Sequence, residues 1–207
     1  MKFKSILKNH EQFESSVEDI IVYAQEVIAD LPYKSRISAG EKSILLEALL
    51  LKICALWEKF VEEELVYTTC LNTKKLSQLM GINLNTKLTT EITRALIFSD
   101  TYRSFRGIDD LIYFSKKVIE DQYNPFTRIT SAQKSNILFT YKIRNYLSHY
   151  SGYSRRALFS AYEERYNYRR FLEPGKFLLK DKGHLSFQIL PYPRAILQFQ
   201  LSGSQQN

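Results

Sequence analysis

Apolar residues recur at helical spacing near the start of the chain. Between residues 11 and 31 they stand at Phe13, Val17, Ile20, Ile21, Ala24, Val27, Ile28 and Leu31. This period predicts an amphipathic helix, and Pro32 ends it because the residue before a proline avoids the helical conformation. Ser38 and Glu41 have the spacing of a capping box. They predict the start of a second helix, which is apolar on most sides through about Val66 and therefore central.

The middle of the chain predicts shorter elements. Residues 73–85 are polar apart from a short apolar piece at 76–80, which is typical of a connector. Helical spacing returns over residues 89–100 and again after Gly107, and Asn124-Pro125 stops the second of these helices. Thr130 and Gln133 form a second capping box, which predicts the start of a further helix.

The pattern changes towards the C-terminus. Ser151-Gly152 ends the helix that begins after Thr130, and residues 155–171 form another helix that the turn residues 173–175 break. Residues 176–180 and 184–190 flank Gly183 and predict a small β-hairpin. The sequence therefore predicts an all-α fold, with a helical domain over residues 1–175. A C-terminal β-hairpin and tail over residues 176–207 pack on that domain.

Composition narrows the class of protein. The 207 residues are 44% hydrophobic and 25% charged, which is typical of one soluble globular domain. Residues 1–10 are basic and polar and lack the apolar core of a secretory signal. Four charges interrupt the most apolar run, residues 44–61, so we expect no membrane span. Cys54 and Cys70 are too few for a disulfide framework, which favours the cytoplasm.

The positive charge is concentrated in one window. The chain carries +7, and residues 141–170 hold seven basic side chains against two acidic ones, together with seven of the fourteen tyrosines. A basic surface favours a polyanionic partner, and tyrosine rings stack on unpaired bases. The alternative is a solvated helix face with its tyrosines in the core. Under the first reading the RNA-binding candidates are Lys142, Tyr150, Tyr153, Arg155 and Arg156.

The helix after Thr130 carries a polar trio on its outer side. At about 100° per residue, one apolar stripe contains Phe139, Ile143, Tyr146, Leu147 and Tyr150. Asn145 and His149 are four residues apart and share the opposite face, while Arg144 lies about 140° from His149 on the flank. Arg144 and His149 of one straight helix therefore do not easily reach one phosphate. A two-fold axis beside this face sets two copies against each other, which predicts a composite site in a homodimer.

The trio is suited to RNA cleavage without a metal or another cofactor. Histidine is the residue type best suited to proton transfer near neutral pH, so His149 is the candidate acid or base for the ribose 2′-hydroxyl and the leaving 5′-oxygen. Arg144 keeps its charge and presents a planar fork to a phosphorane. Asn145 orients the imidazole or binds a phosphate oxygen. No metal-ligand spacing occurs among His10, His184, Cys54 and Cys70.

The motif Arg144-Asn145-x-x-x-His149 resembles that of the HEPN superfamily, whose signature is an arginine and a histidine separated by four to six residues near the end of a late helix. Three further segments fit the bacterial members found at toxin and phage-defence loci: the apolar helix at 49–60, Asn124-Pro125-Phe126, and His149-Tyr150-Ser151. The resemblance covers roughly residues 38–171. It implies a bundle of four or five helices, dimerisation through the motif helices, and metal-independent endoribonuclease activity with Arg144, Asn145 and His149 as site residues.

Two classes of function follow. The first is an endoribonuclease toxin or phage-defence effector that acts on RNA, with tRNA among its candidate substrates and an antitoxin or a nucleotidyltransferase as a candidate partner. The second is a non-catalytic α-helical dimer that binds nucleic acid or a partner protein, since some proteins with the HEPN motif are inactive scaffolds.

Overall fold

The computed structural model describes residues 2–29, 37–84, 88–98, 105 and 107–180, and these are helical with no strand among them. The helices are α1 (Lys2–Ala29), α2 (Ala39–Leu71), α3 (Lys74–Met80), α4 (Thr90–Phe98), α5 (Ile108–Val118), α6 (Ser131–His149), α7 (Gly152–Tyr166) and α8 (Pro174–Lys180). Two 3-10 turns, Asp121–Tyr123 and Pro125–Arg128, connect α5 to α6. The all-α prediction is confirmed for this part of the chain.

Both predicted capping boxes are present. The Ser38 amide donates to Glu41 Oε2 at 2.7 Å, and the Glu41 amide donates to Ser38 Oγ at 3.3 Å. The Thr130 amide donates to Gln133 Oε1 at 2.9 Å, and the Gln133 amide donates to Thr130 Oγ1 at 3.3 Å. Each pair satisfies two amides at the start of a helix that have no partner within it. The predicted starts of α2 and α6 are therefore confirmed.

Two predicted boundaries are wrong near the N-terminus and in the middle of the chain. The first helix begins at Lys2 rather than near residue 11, and its early residues Ile6 and His10 are fully buried. The connector at 73–85 contains α3, which ends at Gly81 with a left-handed φ of 67°. A helix of seven residues has too few turns to produce a clear periodic signal, so the sequence pattern alone does not distinguish it from a connector.

The predicted strand at residues 176–180 is wrong, because these residues belong to α8. Pro174 is the first helical residue, where its missing amide hydrogen costs nothing. The Phe177 amide donates to the Glu173 carbonyl at 2.9 Å and closes the first turn. The second half of the predicted hairpin, residues 184–190, lies outside the described residues.

The described residues divide into two compact units. The first contains residues 2–14 and 57–134, and its core includes stacked rings of Phe13 and Phe60 at 4.7 Å. His10 Nε2 lies 3.1 Å from Glu64 Oε2, and both side chains are completely buried. Burying two polar groups is tolerated when they bond each other.

The second unit contains residues 15–56 and 135–180 and carries the motif helix. Four residues of the predicted α6 stripe are buried in its core: Phe139, Ile143, Tyr146 and Leu147. They share that core with residues of α2, α7 and α8, among them Leu50, Leu158, Tyr162 and Phe177. The fifth residue of the stripe, Tyr150, is exposed because it follows the last residue of the helix.

The N-terminus of α8 lies directly against α2. A Cβ atom added to Gly175 would stand 2.2 Å from the Ser43 carbonyl oxygen. The Gly175 amide donates to Glu47 Oε1 at 2.8 Å, so the close approach also places a carboxylate at the start of α8. This contact needs a residue without a side chain at position 175.

We expect Gly175→Ala to destabilise the protein by about 1–3 kcal/mol, because the new methyl group meets backbone atoms of Ser43 that cannot rotate away. Gly40→Ala is the matched control, since its nearest neighbour would be the Ser38 hydroxyl at 3.8 Å, an ordinary contact. The control should be neutral or stabilising by up to about 1 kcal/mol. Urea unfolding of both variants measures the difference, and equal stabilities would contradict the proposed contact.

Candidate functional site

The motif helix ends in a tight turn. His149 is the last residue of α6, and Gly152 is the first residue of α7. Between them Tyr150 adopts a left-handed φ of 44°, which is rare for a residue other than glycine. Ser151 then caps α7, its Oγ accepting the Ser154 amide at 3.1 Å. The predicted helix end at Ser151-Gly152 is therefore displaced by two residues, and both of these residues belong to the start of α7.

The structure joins two of the three predicted catalytic residues. Arg144 Nη1 donates to Asn145 Oδ1 at 3.2 Å, and both side chains are half-buried. His149 is exposed and lies one turn beyond Asn145 on the same face of α6. The Arg144–Asn145 hydrogen bond thus links the flank of α6 to the face that carries His149.

Four of the five predicted RNA-binding residues lie at this turn or at the start of α7, and the fifth, Lys142, lies about two helical turns earlier on α6. Tyr150 and Tyr153 are 64% and 77% exposed, which leaves most of each ring accessible for stacking. Arg155 and Arg156 are also exposed, at the start of α7. Lys142 is half-buried, and its position seven residues before His149 places it on the same face of α6.

Arg155 is held by an aromatic ring. Its guanidinium carbon lies 4.3 Å from the centre of the Phe171 ring, a cation–π contact. The Phe171 ring in turn lies 5.3 Å from that of Tyr146, which lies 5.3 Å from that of Tyr150. These contacts connect the cation to the residues at the end of α6.

Two carboxylates lie beside the end of α6, and sequence reasoning did not select either. The Tyr146 hydroxyl donates to Glu173 Oε2 at 2.9 Å, in the loop before α8. Glu47 of α2 holds the Gly175 amide. The tertiary fold brings these glutamates together from distant parts of the sequence. The available signal was the presence of Glu47 in an apolar helix, since a charge at such a position needs a partner.

These carboxylates act on three tyrosines. Burial, and then the hydrogen bond and charge of Glu173, raise the pKa of Tyr146 to about 12. Burial raises the pKa of Tyr162 further, with added contributions from the charges of Glu173 and Glu47. The pKa of Tyr150 is raised by partial burial and by the same two charges. The environment therefore keeps all three hydroxyls protonated well above neutral pH.

The described part of the chain contains neither a cluster of metal ligands nor a membrane-spanning helix. No three His, Cys, Asp or Glu side chains there lie close enough together to hold a metal ion. No described helix is long and apolar enough to cross a membrane.

Comparison with known proteins gives no relative for this chain. No protein-family model matches it, and neither a curated protein nor a solved structure is significantly similar to it. The assignment of function therefore depends on the geometry of the residues described above.

The Tyr146–Glu173 hydrogen bond predicts a stability change at alkaline pH. The pKa of Tyr146 is about 12 in the folded protein against 10.0 for its ordinary value. A group whose pKa is raised by folding stabilises the protein fully below the ordinary value, and this contribution is lost as the pH rises. We therefore expect part of the unfolding free energy to disappear between about pH 10 and about pH 12, and Tyr146→Phe to lose less over that interval.

Glu173→Gln separates the two causes of the raised pKa. Burial is the larger cause, so this variant should lower the pKa of Tyr146 only part of the way towards 10.0. The phenolate absorbance of the folded protein, compared with that of Tyr146→Phe, measures the shift. A pKa unchanged by Glu173→Gln would contradict the contact.

Proposed function

We propose that this protein is a metal-independent endoribonuclease with Arg144, Asn145 and His149 as its catalytic residues. The observation that carries the proposal is the arrangement of the motif on α6. The Arg144 side chain donates a hydrogen bond to the Asn145 side chain. His149 is exposed one turn further on, close in sequence to the exposed Tyr150 and Tyr153. The resemblance of the motif to the HEPN superfamily supports the same chemistry.

The proposed reaction is an internal transesterification. His149 removes the proton of a ribose 2′-hydroxyl, and the 2′-oxygen forms a bond to the adjacent phosphorus while the bond to the 5′-oxygen breaks. An acid protonates the departing 5′-oxygen, which leaves a 2′,3′-cyclic phosphate on one product and a 5′-hydroxyl on the other. Arg144 stabilises the charge that develops on the phosphorane, and Asn145 fixes the guanidinium through the hydrogen bond described above.

A homodimer supplies what a single motif lacks. The reaction needs a base for the 2′-hydroxyl and an acid for the 5′-oxygen, whereas one α6 carries one histidine. Two copies of α6 placed about a two-fold axis bring two histidines and two arginines to one phosphate. His149 is exposed at the end of α6, where a second copy has access to it.

The RNA is held by the residues around the turn. Lys142, Arg155 and Arg156 contact backbone phosphates, while Tyr150 and Tyr153 stack on unpaired bases. Single-stranded or loop RNA is therefore the proposed substrate, with tRNA among the candidates. The protein acts in the cytoplasm as a toxin or phage-defence effector, under the control of an antitoxin or a nucleotidyltransferase.

We expect purified protein to cleave total RNA in the presence of EDTA and to leave 2′,3′-cyclic phosphate ends. His149→Ala and Arg144→Ala should each lower the rate by about a hundredfold or more, because each removes a group that acts on the transition state. Arg169→Ala is the matched control for lost charge, since Arg169 is exposed and lies in the same basic window. The control should retain most of the activity.

Two results would contradict the catalytic assignment. One is the absence of cleavage by the wild-type protein. The other is cleavage that both motif variants retain. If the wild-type protein does not cleave RNA and the motif variants lose the dimer, the motif is an interface and the protein is a non-catalytic binding dimer.

Mixed dimers test whether the site is shared between subunits. A wild-type chain and an Arg144→Ala/His149→Ala chain, carrying different tags, are co-expressed and the heterodimer is isolated. A shared site in this heterodimer contains one histidine and one arginine instead of two, so it lacks either the base or the acid, and its activity should be roughly a hundredth of the wild-type activity or less. About half of the wild-type activity would place each complete site on one chain, and a monomer in sedimentation experiments would refute the shared site altogether.

A further inference from the structure

The two carboxylates beside α6 each retain an acceptor oxygen. Glu173 uses Oε2 for the Tyr146 hydroxyl, and Glu47 uses Oε1 for the Gly175 amide. The other oxygen of each carboxylate accepts no hydrogen bond from the described residues. Glu173 is exposed, so its second oxygen is accessible to a ligand that donates hydrogen bonds.

An exposed ring adjoins the carboxylates. Tyr150 packs against Tyr146 on one side, while 64% of its surface is exposed. Its backbone is left-handed, as is that of Asn167, and this conformation costs tyrosine more than asparagine.

The ligand that fits is a flat ring with neighbouring N–H donors on one edge. A carboxylate accepts two parallel hydrogen bonds from adjacent donors, and guanine presents N1–H and the 2-amino group side by side. Uracil has a single N–H between two carbonyls, and those carbonyls are repelled by a carboxylate.

We propose that Tyr150 and Glu173, which are joined through Tyr146, form a base-recognition site for an unpaired guanine next to the scissile phosphate. The guanine stacks on the exposed face of Tyr150 and donates N1–H and the 2-amino group to the two oxygens of Glu173, of which Oε2 also accepts the Tyr146 hydroxyl. Arg155, anchored over Phe171, holds the neighbouring phosphate. This inference rests on the proposed function, because RNA cleavage at His149 places a nucleotide beside Tyr150.

Binding to 2′-O-methyl hexanucleotides tests the site without cleavage, since the methyl group blocks the attacking oxygen. The probes are uridine hexamers in which one internal residue is guanosine, inosine, 7-deazaguanosine or uridine. We expect guanosine to bind about tenfold more tightly than uridine, as for one good bidentate contact to a base. 7-Deazaguanosine keeps the recognised edge and should match guanosine, whereas inosine lacks the 2-amino group and should be intermediate.

Variants identify the residues responsible. Glu173→Gln should reduce the guanosine preference to under about threefold while the uridine hexamer binds as before. Tyr150→Phe should keep the affinity, and Tyr150→Asn, which suits the left-handed backbone, should lower it for every probe without loss of stability. Glu164→Gln is the matched control, since it removes an exposed carboxylate elsewhere on α7 and should change nothing.

The outcomes separate the base site from the proposed function. Equal binding of all four probes, or a Glu173→Gln variant that loses the dimer instead of the preference, would overturn the base site. Unmodified versions of the same hexamers report cleavage. Cleavage without a guanosine preference would contradict the base site but not the ribonuclease activity. A guanosine preference that Glu173→Gln abolishes, without any cleavage, would support the base site and contradict the ribonuclease activity. If no probe binds, both the base site and the proposed ribonuclease function are contradicted.

Discussion

The left-handed turn at Tyr150 is the constraint on which the candidate site depends. The chain passes from α6 to α7 through Tyr150 and Ser151 alone, so the end of one helix fixes the start of the next. A left-handed residue ends a helix sharply, and the Ser151 hydroxyl satisfies an amide of the new one. So short a turn holds His149 at the surface while Tyr146 and Leu147, just before it, remain in the core.

The loop before α8 holds this arrangement from the other side. Two hydrogen bonds fix it, from Tyr146 to Glu173 and from Gly175 to Glu47. The rings of Tyr162 and Phe177 stack at 4.6 Å and attach α8 to α7. Each carboxylate therefore has one oxygen in a structural bond and one remaining. Groups that are already held by the fold bind a ligand with little loss of entropy, which suits a site for a single base.

The sequence predicted those parts of the fold that depend on local physics. Both capping boxes were readable because each acts within four residues, and the α6 stripe was readable because helical spacing alone determines which side chains face the core. The strand prediction at 176–180 failed because five residues with buried Phe177 and Leu178 fit either structure. The helical conformation of these residues depends on the packing of Gly175 against α2. That tertiary contact leaves no pattern in the local sequence.

The candidate site likewise has one part that the sequence predicts and one part that it does not. Helical spacing placed Asn145 and His149 on one face of α6, and the structure agrees. Helical spacing also placed Arg144 on the flank of α6. It did not predict that the Arg144 side chain bonds Asn145. The sequence could not predict that Glu47 and Glu173 belong to this region, because they come together only when α2 and the loop before α8 are folded against α6. Their contribution is tertiary, whereas the motif is local.

The two glutamates change the interpretation of the basic window over residues 141–170. Residues 141–170 contain an excess of cations, but Glu47 and Glu173 come from outside the window and lie beside its first helix. The charge around the end of α6 is thus mixed, with cations on α6 and α7 and two carboxylates that bond Tyr146 and Gly175. Cations that neutralise phosphates supply affinity without regard to sequence, whereas acceptors placed next to a stacking ring distinguish one base edge from another. Carboxylates close to a polyanion weaken its binding, so Glu47 and Glu173 lower the affinity of the window for phosphates while they hold the start of α8 against α2 and α6.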